Sequence, residues 1–175
     1  TEGSVGLVGA TLGGGFGLLT RAFGMASDNL LAAEIVVASE DGGAHAIVVD
    51  ENSHADLLWA LRGAGNGNFG IVTSLTYRVR PLARTTYLTA TWQGLQQLSE
   101  VFDAWQRTAP HTDERLTSQL EISRNDVTLI GVLGDGSESE ARQLLAPILA
   151  VGDPVVSVTD AGWADTYAAF QIPKD

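Results

Sequence analysis

The sequence predicts an α+β fold in two subdomains, and three observations carry this prediction. Glycine is dense up to about Leu82 and sparse beyond it. The first part contains a β-hairpin signal, and the second alternates helical patterns with antiparallel-looking strands. We therefore expect subdomains over residues 1–82 and 83–175, the second being an antiparallel sheet with helices rather than a doubly wound sheet.

A predicted hairpin lies at the centre of the first subdomain. Residues 34–39 and 44–49 are β-branched runs, and the Asp41-Gly42-Gly43 segment between them supplies the positive φ angles of a tight turn. The other elements predicted here are a helix over 54–62, started by a capping box at Ser53 and stopped by Gly63, and a strand over 69–79.

The second subdomain is predicted to contain four strands and two helices. The strands are 86–92, 116–123, 126–133 and 155–159, and the helices are 94–108 and 138–149. Ser137 or Gly136 is the expected cap of the second helix, and Asn125-Asp126 the turn between the middle strands. Because large aromatic residues dominate cores, we expect core positions for Trp92, Trp105, Trp163 and Phe170.

Composition excludes several classes of partner. With 45% hydrophobic and 18% charged residues the chain is globular, and its net charge of −11 disfavours both nucleic acid and anionic membranes. The apolar runs are too short to span a bilayer. The absence of cysteine excludes disulfides, thiolate metal sites and a cysteine nucleophile, and the three histidines lack metal-ligand spacing. We expect a small-molecule substrate and no metal.

The ends of the sequence indicate a piece of a longer protein. It opens Thr-Glu-Gly-Ser-Val-Gly, without an initiator Met or an apolar leader, and it stops in mid-pattern at Asp175. Localisation cannot be deduced from such an end. The lack of a signal or transmembrane segment in this piece favours the cytoplasm.

Two glycine-rich segments are the strongest functional signal. Residues 9–17 hold five glycines in nine positions, and residues 62–73 form a second such segment that runs into a strand. One interpretation is a tight turn or a close strand crossing. The other is a loop whose backbone N–H groups bind an anion or line a flat ring system. Residues 9–17 do not match the strict G-x-G-x-x-G fingerprint, and no Walker motif follows either segment, which disfavours a Rossmann site and a P-loop.

Other polar residues give weaker signals. Asp28-Asn29 is expected to form a turn or strand entry in which Asp28 caps local N–H groups. No Gly-x-Ser-x-Gly elbow occurs, which disfavours hydrolase chemistry. The carboxylates that we expect to be solvated, and not general bases, are Glu114, Glu121, Asp126 and Asp135.

The order of these motifs resembles a known family. The matching strings are Val5-Gly6, the run Gly13-Gly14-Gly15-Phe16-Gly17-Leu18-Leu19-Thr20-Arg21, Asp56-Leu57-Leu58-Trp59-Ala60-Leu61-Arg62-Gly63, and Gly67-Asn68-Phe69-Gly70-Ile71-Val72-Thr73. Together they resemble the berberine bridge enzyme-like branch of the vanillyl-alcohol oxidase flavoproteins. The resemblance is strong over residues 1–82 and looser over 83–175.

The resemblance implies a fold, a cofactor and an activity. Residues 1–82 would be the second subdomain of a PCMH-type FAD-binding domain, and 83–175 the start of the substrate-binding domain. The protein would be an FAD-dependent oxidoreductase that takes a hydride from a C–H bond of an alcohol, sugar or amine-type metabolite and usually passes the electrons to oxygen. Backbone groups would contact FAD at Val5, Gly6, Gly9, Ala10, Gly13, Gly14, Gly17 and Ile71.

The sequence also departs from the family. Bicovalent relatives carry a cysteine just upstream of the glycine loop, and this chain has none, so a cysteinyl-flavin bond is impossible. The family's N-terminal FAD subdomain and C-terminal segment are absent, so catalytic residues cannot be assigned and the segment alone is expected to bind flavin weakly or not at all. A non-catalytic folded module that binds no flavin is the alternative. We expect Gly14→Val in the complete protein to abolish FAD retention while leaving the fold largely intact.

Overall fold

The computed structural model describes residues 5–169, and the chain divides into two compact units between Arg80 and Pro81. Each unit contains helices and one antiparallel sheet, which confirms the predicted α+β class. Among the described residues, no helix has both the length and the apolar character needed to cross a bilayer.

The first unit is built on a three-stranded sheet of order β2-β1-β3. Its elements are α1 Leu7–Leu12, α2 Thr20–Phe23, a 3-10 turn Ser27–Asn29, β1 Leu30–Ala38, β2 Ala44–Asp50, α3 Ala55–Ala64 and β3 Ile71–Tyr77. The core lies between one face of the sheet and the helices, with Leu30, Ile35, Val49, Leu58 and Leu61 fully buried.

The predicted hairpin is confirmed. β1 and β2 pair in antiparallel register, with Ile35 opposite Ile47. Gly42 has φ +85°, and the Ser39 N–H donates to the Gly43 carbonyl at 2.9 Å. The turn therefore uses the positive φ that only glycine adopts cheaply.

The predicted capping box at Ser53 is wrong. The residue before α3 is His54, which has a left-handed backbone (φ +54°) and makes no side-chain capping bond. The Ser53 N–H instead donates to the Asp50 carboxylate at 2.8 Å, so the local turn competes for the group that a capping box would use. The helix also continues through Ala64, with a backbone break at Arg62 and Gly63.

The second unit is a four-stranded sheet of order β5-β6-β4-β7 with helices packed on it. Its elements are β4 Thr85–Gln93, α4 Leu98–Thr108, a 3-10 turn Ala109–His111, β5 Leu116–Ile122, β6 Asp126–Gly134, α5 Glu138–Leu149, β7 Val155–Ala161 and α6 Trp163–Ala169. α4 begins four residues later than predicted because Gly94 has φ +77° and belongs to the preceding turn. α6 was not predicted.

The tryptophans of this unit, which the sequence predicts to be core residues, are buried to different degrees. Trp92 is buried, and its indole N–H donates to the Val151 carbonyl at 2.6 Å. Trp105 is half-buried against the core and donates to the Ser118 hydroxyl at 3.1 Å. Trp163 is half-buried beside Tyr167. Phe170 lies outside the described residues.

Ser137 is the N-cap of α5, as the sequence predicts, because its hydroxyl accepts the Glu140 N–H at 3.2 Å. Replacing it with Ala leaves that donor without its partner and should lower the free energy of unfolding by about 1 kcal/mol. Ser139→Ala is the matched control, because Ser139 is also an exposed serine and lies two residues further along the chain. Urea unfolding measures both; equal stabilities for the two variants would contradict the capping role.

Candidate functional site

The first glycine-rich segment is not the continuous loop that the sequence suggested. Residues 7–12 form α1, in which the Ala10 N–H donates to the Gly6 carbonyl and the Gly13 N–H to the Gly9 carbonyl, at 3.0 and 3.1 Å. These N–H groups are therefore satisfied within the helix. A run of free donors over 9–17 is excluded, since helix formation uses the groups that an anion-binding nest would need.

The rest of the segment is a loop fastened to residues 25–29. The carbonyls of Gly14 and Gly15 accept the N–H groups of Ser27 and Ala26 at 2.9 and 2.8 Å. The Asp28 carboxylate accepts the Met25 N–H at 2.8 Å, as expected of a residue that caps local N–H groups. These bonds hold the loop beside the start of β1.

The structure brings the two glycine-rich segments together. The Gly65 N–H donates to the Leu12 carbonyl at 3.1 Å, and the Asn66 amide donates from Nδ2 to the Gly9 carbonyl at 2.9 Å. Sequence reasoning missed Asn66, because nothing in the sequence distinguishes an asparagine that crosses to a distant helix from one that closes a local turn.

Four small residues of α1 and its ends lie on one side of the helix. Gly6, Gly9, Ala10 and Gly13 follow the spacing i, i+3, i+4 and i+7, and the three glycines are exposed. We call this surface the glycine face. Apart from the Asn66 amide near Gly9 and Gly13, it presents backbone atoms with almost no side chain above them.

The glycines differ in whether the protein's own packing requires them. A Cβ on Gly14 would lie 2.7 Å from Met25 Cε, at φ +110°, and a Cβ on Gly13 would lie 2.6 Å from Asn66 Nδ2. By contrast, among the described residues a Cβ on Gly6 would meet nothing within 4 Å, and one on Gly9 only Asn66 Oδ1 at 3.8 Å. Neither packing nor φ (−63°) requires glycine at position 6.

Of the remaining predicted site residues, Val5 lies beside the glycine face, whereas Gly17 and Ile71 lie in other parts of the first unit. Val5 is half-exposed immediately before Gly6. The Gly17 N–H donates to the Thr20 hydroxyl at 2.7 Å, so this glycine belongs to the loop that leads into α2. Ile71 is 72% exposed at the first position of β3, opposite Val36, and is not on α1.

The second unit presents a hydroxyl-rich surface on the sheet face opposite α4 and α5. Tyr87, Thr89 and Thr91 of β4 alternate with the core residues of that strand, and the register places Thr159, Ser157 and Thr128 beside them. We call these six residues the hydroxyl face. The Thr91 and Thr128 hydroxyl oxygens are 3.1 Å apart.

Tyr87 is the titratable member of the hydroxyl face. Burial raises the pKa of its phenol above the ordinary value, and the Glu121 carboxylate raises it further. The phenol is therefore protonated at neutral pH and can donate a hydrogen bond, but it cannot act there as a base.

The four carboxylates that the sequence places in solvent are mostly exposed, and Asp135 among them makes structural contacts. Glu114, Glu121 and Asp135 are exposed, as expected, and Asp126 is half-buried. Asp135 accepts the Ala83 and Arg84 N–H groups at 3.0 and 3.2 Å, which ties the start of β4 to the end of β6. Within residues 5–169 no group of three or more His, Asp or Glu side chains is arranged to hold a metal ion.

Comparisons with known proteins identify the class of protein to which this fold belongs. No family model matches the sequence. The chain is 46% identical to the FAD-linked oxidoreductase YgaK of Bacillus subtilis, itself uncharacterized, over 88% of this chain and 34% of that protein. Two solved structures superpose on it: the berberine bridge enzyme-like protein 1 of Physcomitrella patens and the glucooligosaccharide oxidase of Acremonium strictum. Their TM-scores are 0.87 and 0.86, with 26% and 30% identity, over 94% and 100% of this chain and 36% of each of theirs.

The fold is thus one that flavoproteins have. More particularly, the chain is similar to about one third of the length of FAD-linked oxidoreductases, berberine bridge enzyme-like proteins among them. This confirms the family resemblance given by the motifs. The individual contact residues remain predictions.

The structure predicts that two glycine substitutions differ in their effect on the free energy of unfolding. Gly14→Ala introduces a clash with Met25 and a positive φ that alanine disfavours, and should destabilise the protein by roughly 2–4 kcal/mol. Gly6→Ala should change stability by less than about 0.5 kcal/mol. Urea unfolding of both variants tests this, and equal losses would contradict the distinction. Valine at position 14 would have the same φ, so for Gly14→Val the structure adds an expected loss of stability to the expected loss of FAD retention.

The raised pKa of Tyr87 predicts a stability change at alkaline pH. Because the folded pKa lies above the unfolded one, this contribution is complete below about pH 10 and is lost as the pH rises through the folded pKa. The fall in the free energy of unfolding between pH 9 and 11 should be smaller in Tyr87→Phe than in the wild type. Superimposable pH profiles from urea unfolding would show that Tyr87 makes no such contribution.

Proposed function

We propose that this chain forms part of the FAD site of an oxidoreductase that takes a hydride from a C–H bond of an alcohol, sugar or amine-type metabolite. Oxygen is the proposed electron acceptor. The observation that carries the proposal is the bare glycine face of α1, at which Gly6 has no packing or backbone reason to lack a side chain. A flat cofactor lying against that face supplies the reason, since any Cβ would keep it at a distance.

The residues of the first unit fit such a group. Val5, Gly6, Gly9, Ala10 and Gly13 would bind through backbone atoms, while Gly14 and Gly17 hold the adjoining loop in place. Ile71 is proposed to contact the cofactor through its backbone. When bound, FAD supplies the hydride-accepting chemistry, and the protein supplies the binding surface.

The second unit is proposed to be the beginning of the substrate-binding domain, over residues 83–175. Its hydroxyl face offers donors and acceptors from five serine or threonine hydroxyls and the Tyr87 phenol, which suits a polyhydroxylated substrate. A similar protein of known structure is a glucooligosaccharide oxidase, whose name supports both a sugar substrate and oxygen as acceptor.

A folded module that binds no flavin is the second candidate. It is favoured by the internal packing around Gly14 and Gly15, because contacts with Met25 and Ala26 explain glycine at those positions without any ligand. Gly6 and Gly9 are not explained in this way, so we rank this candidate second.

The visible absorption spectrum of the full-length natural protein distinguishes the two. Flavin bands at about 350–500 nm after gel filtration support the FAD site. Acid precipitation then separates non-covalent flavin in the supernatant from covalent flavin in the pellet. A folded, colourless protein that takes up no added FAD would overturn the proposal in favour of the second candidate.

Gly6→Val tests the glycine face itself. Its extended backbone and open surroundings accommodate valine, so stability should hold, while the branched side chain blocks close approach and should weaken FAD binding at least tenfold. Gly162→Val is the matched control, since Gly162 also precedes a helix and a Cβ there would have only one contact, at 4.0 Å. Flavin fluorescence titration measures both. Wild-type affinity in Gly6→Val would remove Gly6 from the site.

A further inference from the structure

Asn66 joins the two glycine-rich segments at the glycine face. Its amide Nδ2 donates to the Gly9 carbonyl at 2.9 Å, across 57 residues of sequence. The same carbonyl already accepts the Gly13 N–H at 3.1 Å. One oxygen of α1 is therefore shared between the helix's own hydrogen bond and a side chain from the second segment.

The Asn66 side chain also occupies space over this face. A Cβ on Gly13 would lie 2.6 Å from Nδ2, and one on Gly9 3.8 Å from Oδ1. The amide can approach the helix this closely because position 13 carries no side chain, whereas a Cβ at position 9 would be in ordinary contact with it. Glycine at position 13 is thus explained by Asn66, and the position of Asn66 in turn limits how far α1 can move.

Residue 65 completes the link. The Gly65 N–H donates to the Leu12 carbonyl at 3.1 Å, and Gly65 is buried with its Cβ position 3.0 Å from Leu12 Cδ2. Two consecutive residues therefore bond to carbonyls three residues apart on α1, one through its backbone and one through its side chain. Such a pair of bonds sets both the distance and the rotation of the helix relative to the second segment.

We propose that Asn66 is a positioning residue that holds the glycine face of α1 in the geometry that binds FAD. The inference rests on the proposed function and adds to it a residue that neither the motifs nor the family resemblance singled out. Asn66 acts through the Gly9 carbonyl. Loss of the amide removes one of these two bonds from the second segment to α1, so the rotation of the helix is set less tightly and the glycine face fits the cofactor less well.

The chain provides a matched control two residues away. Asn68 is also exposed, and its Nδ2 also donates to a backbone carbonyl, that of Ala64 at 2.8 Å, but this bond stays within its own segment. Asn66→Ala and Asn68→Ala each remove one amide-to-carbonyl bond of similar length. Only the first removes a bond to α1.

The test compares FAD binding with stability in the full-length protein. Flavin fluorescence titration should give an affinity about 5- to 10-fold weaker for Asn66→Ala than for the wild type, the size expected for one hydrogen bond. Asn68→Ala should bind FAD as the wild type does. The melting temperatures of the two apo variants should fall equally, and Asn66→Gln, which keeps an amide donor, should recover part of the lost affinity.

The outcomes separate this inference from the proposed function. If the wild type binds FAD and Asn66→Ala binds it no more weakly than Asn68→Ala, the positioning role is overturned while the FAD site stands. Failure of Asn66→Gln to recover any affinity would likewise overturn the role of the amide bond. If the wild type takes up no FAD, the proposed function and this inference both fail.

Discussion

The first unit depends on the close approach of α1 to the end of α3, which the missing side chain of Gly65 makes possible. α1 has six residues, too few for a stable helix by itself. It is held by the Gly65 bond to Leu12, by the buried Leu12 side chain, and by the Thr11 hydroxyl, which lies 2.6 Å from the Tyr77 hydroxyl on β3. A side chain at position 65 would collide with Leu12 and separate the two helices. The glycine face then loses its support, although no residue of that face has changed.

Glycine has two distinct uses in this unit. Gly14 and Gly15 have positive φ angles and close internal neighbours, so the backbone path through the loop requires them. Gly6 has an ordinary φ, and apart from its chain neighbours no atom of residues 5–169 lies within 4 Å of a Cβ placed there, so the packing of the described residues does not require glycine. A glycine-rich sequence does not separate these two uses. The positions that the family resemblance assigns to the cofactor include both kinds.

Much of the fold could be predicted from the sequence because its signals are local. The turn at Gly42, the cap at Ser137 and the alternation in β4 each depend on a few neighbouring residues. The failures arise where distant contacts decide the local structure. α1 contains a glycine and two β-branched residues in six positions and forms because the tertiary contacts of Leu12 and Thr11 hold it. At His54, a turn closed by Asp50 displaced a cap that the sequence pattern favoured. The contact between Asn66 and Gly9 joins residues that no local pattern connects, so both segments could be found in the sequence but the way in which they meet could not.

The two units offer a ligand different kinds of atoms. The glycine face presents backbone, whose position depends on packing elsewhere in the unit, whereas the hydroxyl face presents side chains that stand on a regular sheet and can be exchanged one at a time. Under the proposed function, cofactor binding therefore depends on the geometry of a helix that many contacts maintain. Under the same proposal, the choice of substrate depends on individual side chains of the hydroxyl face, such as Thr89 and Ser157. These side chains are not part of the buried core. Under the proposed function, substitutions on the hydroxyl face would change the substrate without changing the cofactor. The reason is that the cofactor binds to the backbone of α1, whereas the substrate is selected by side chains of the sheet.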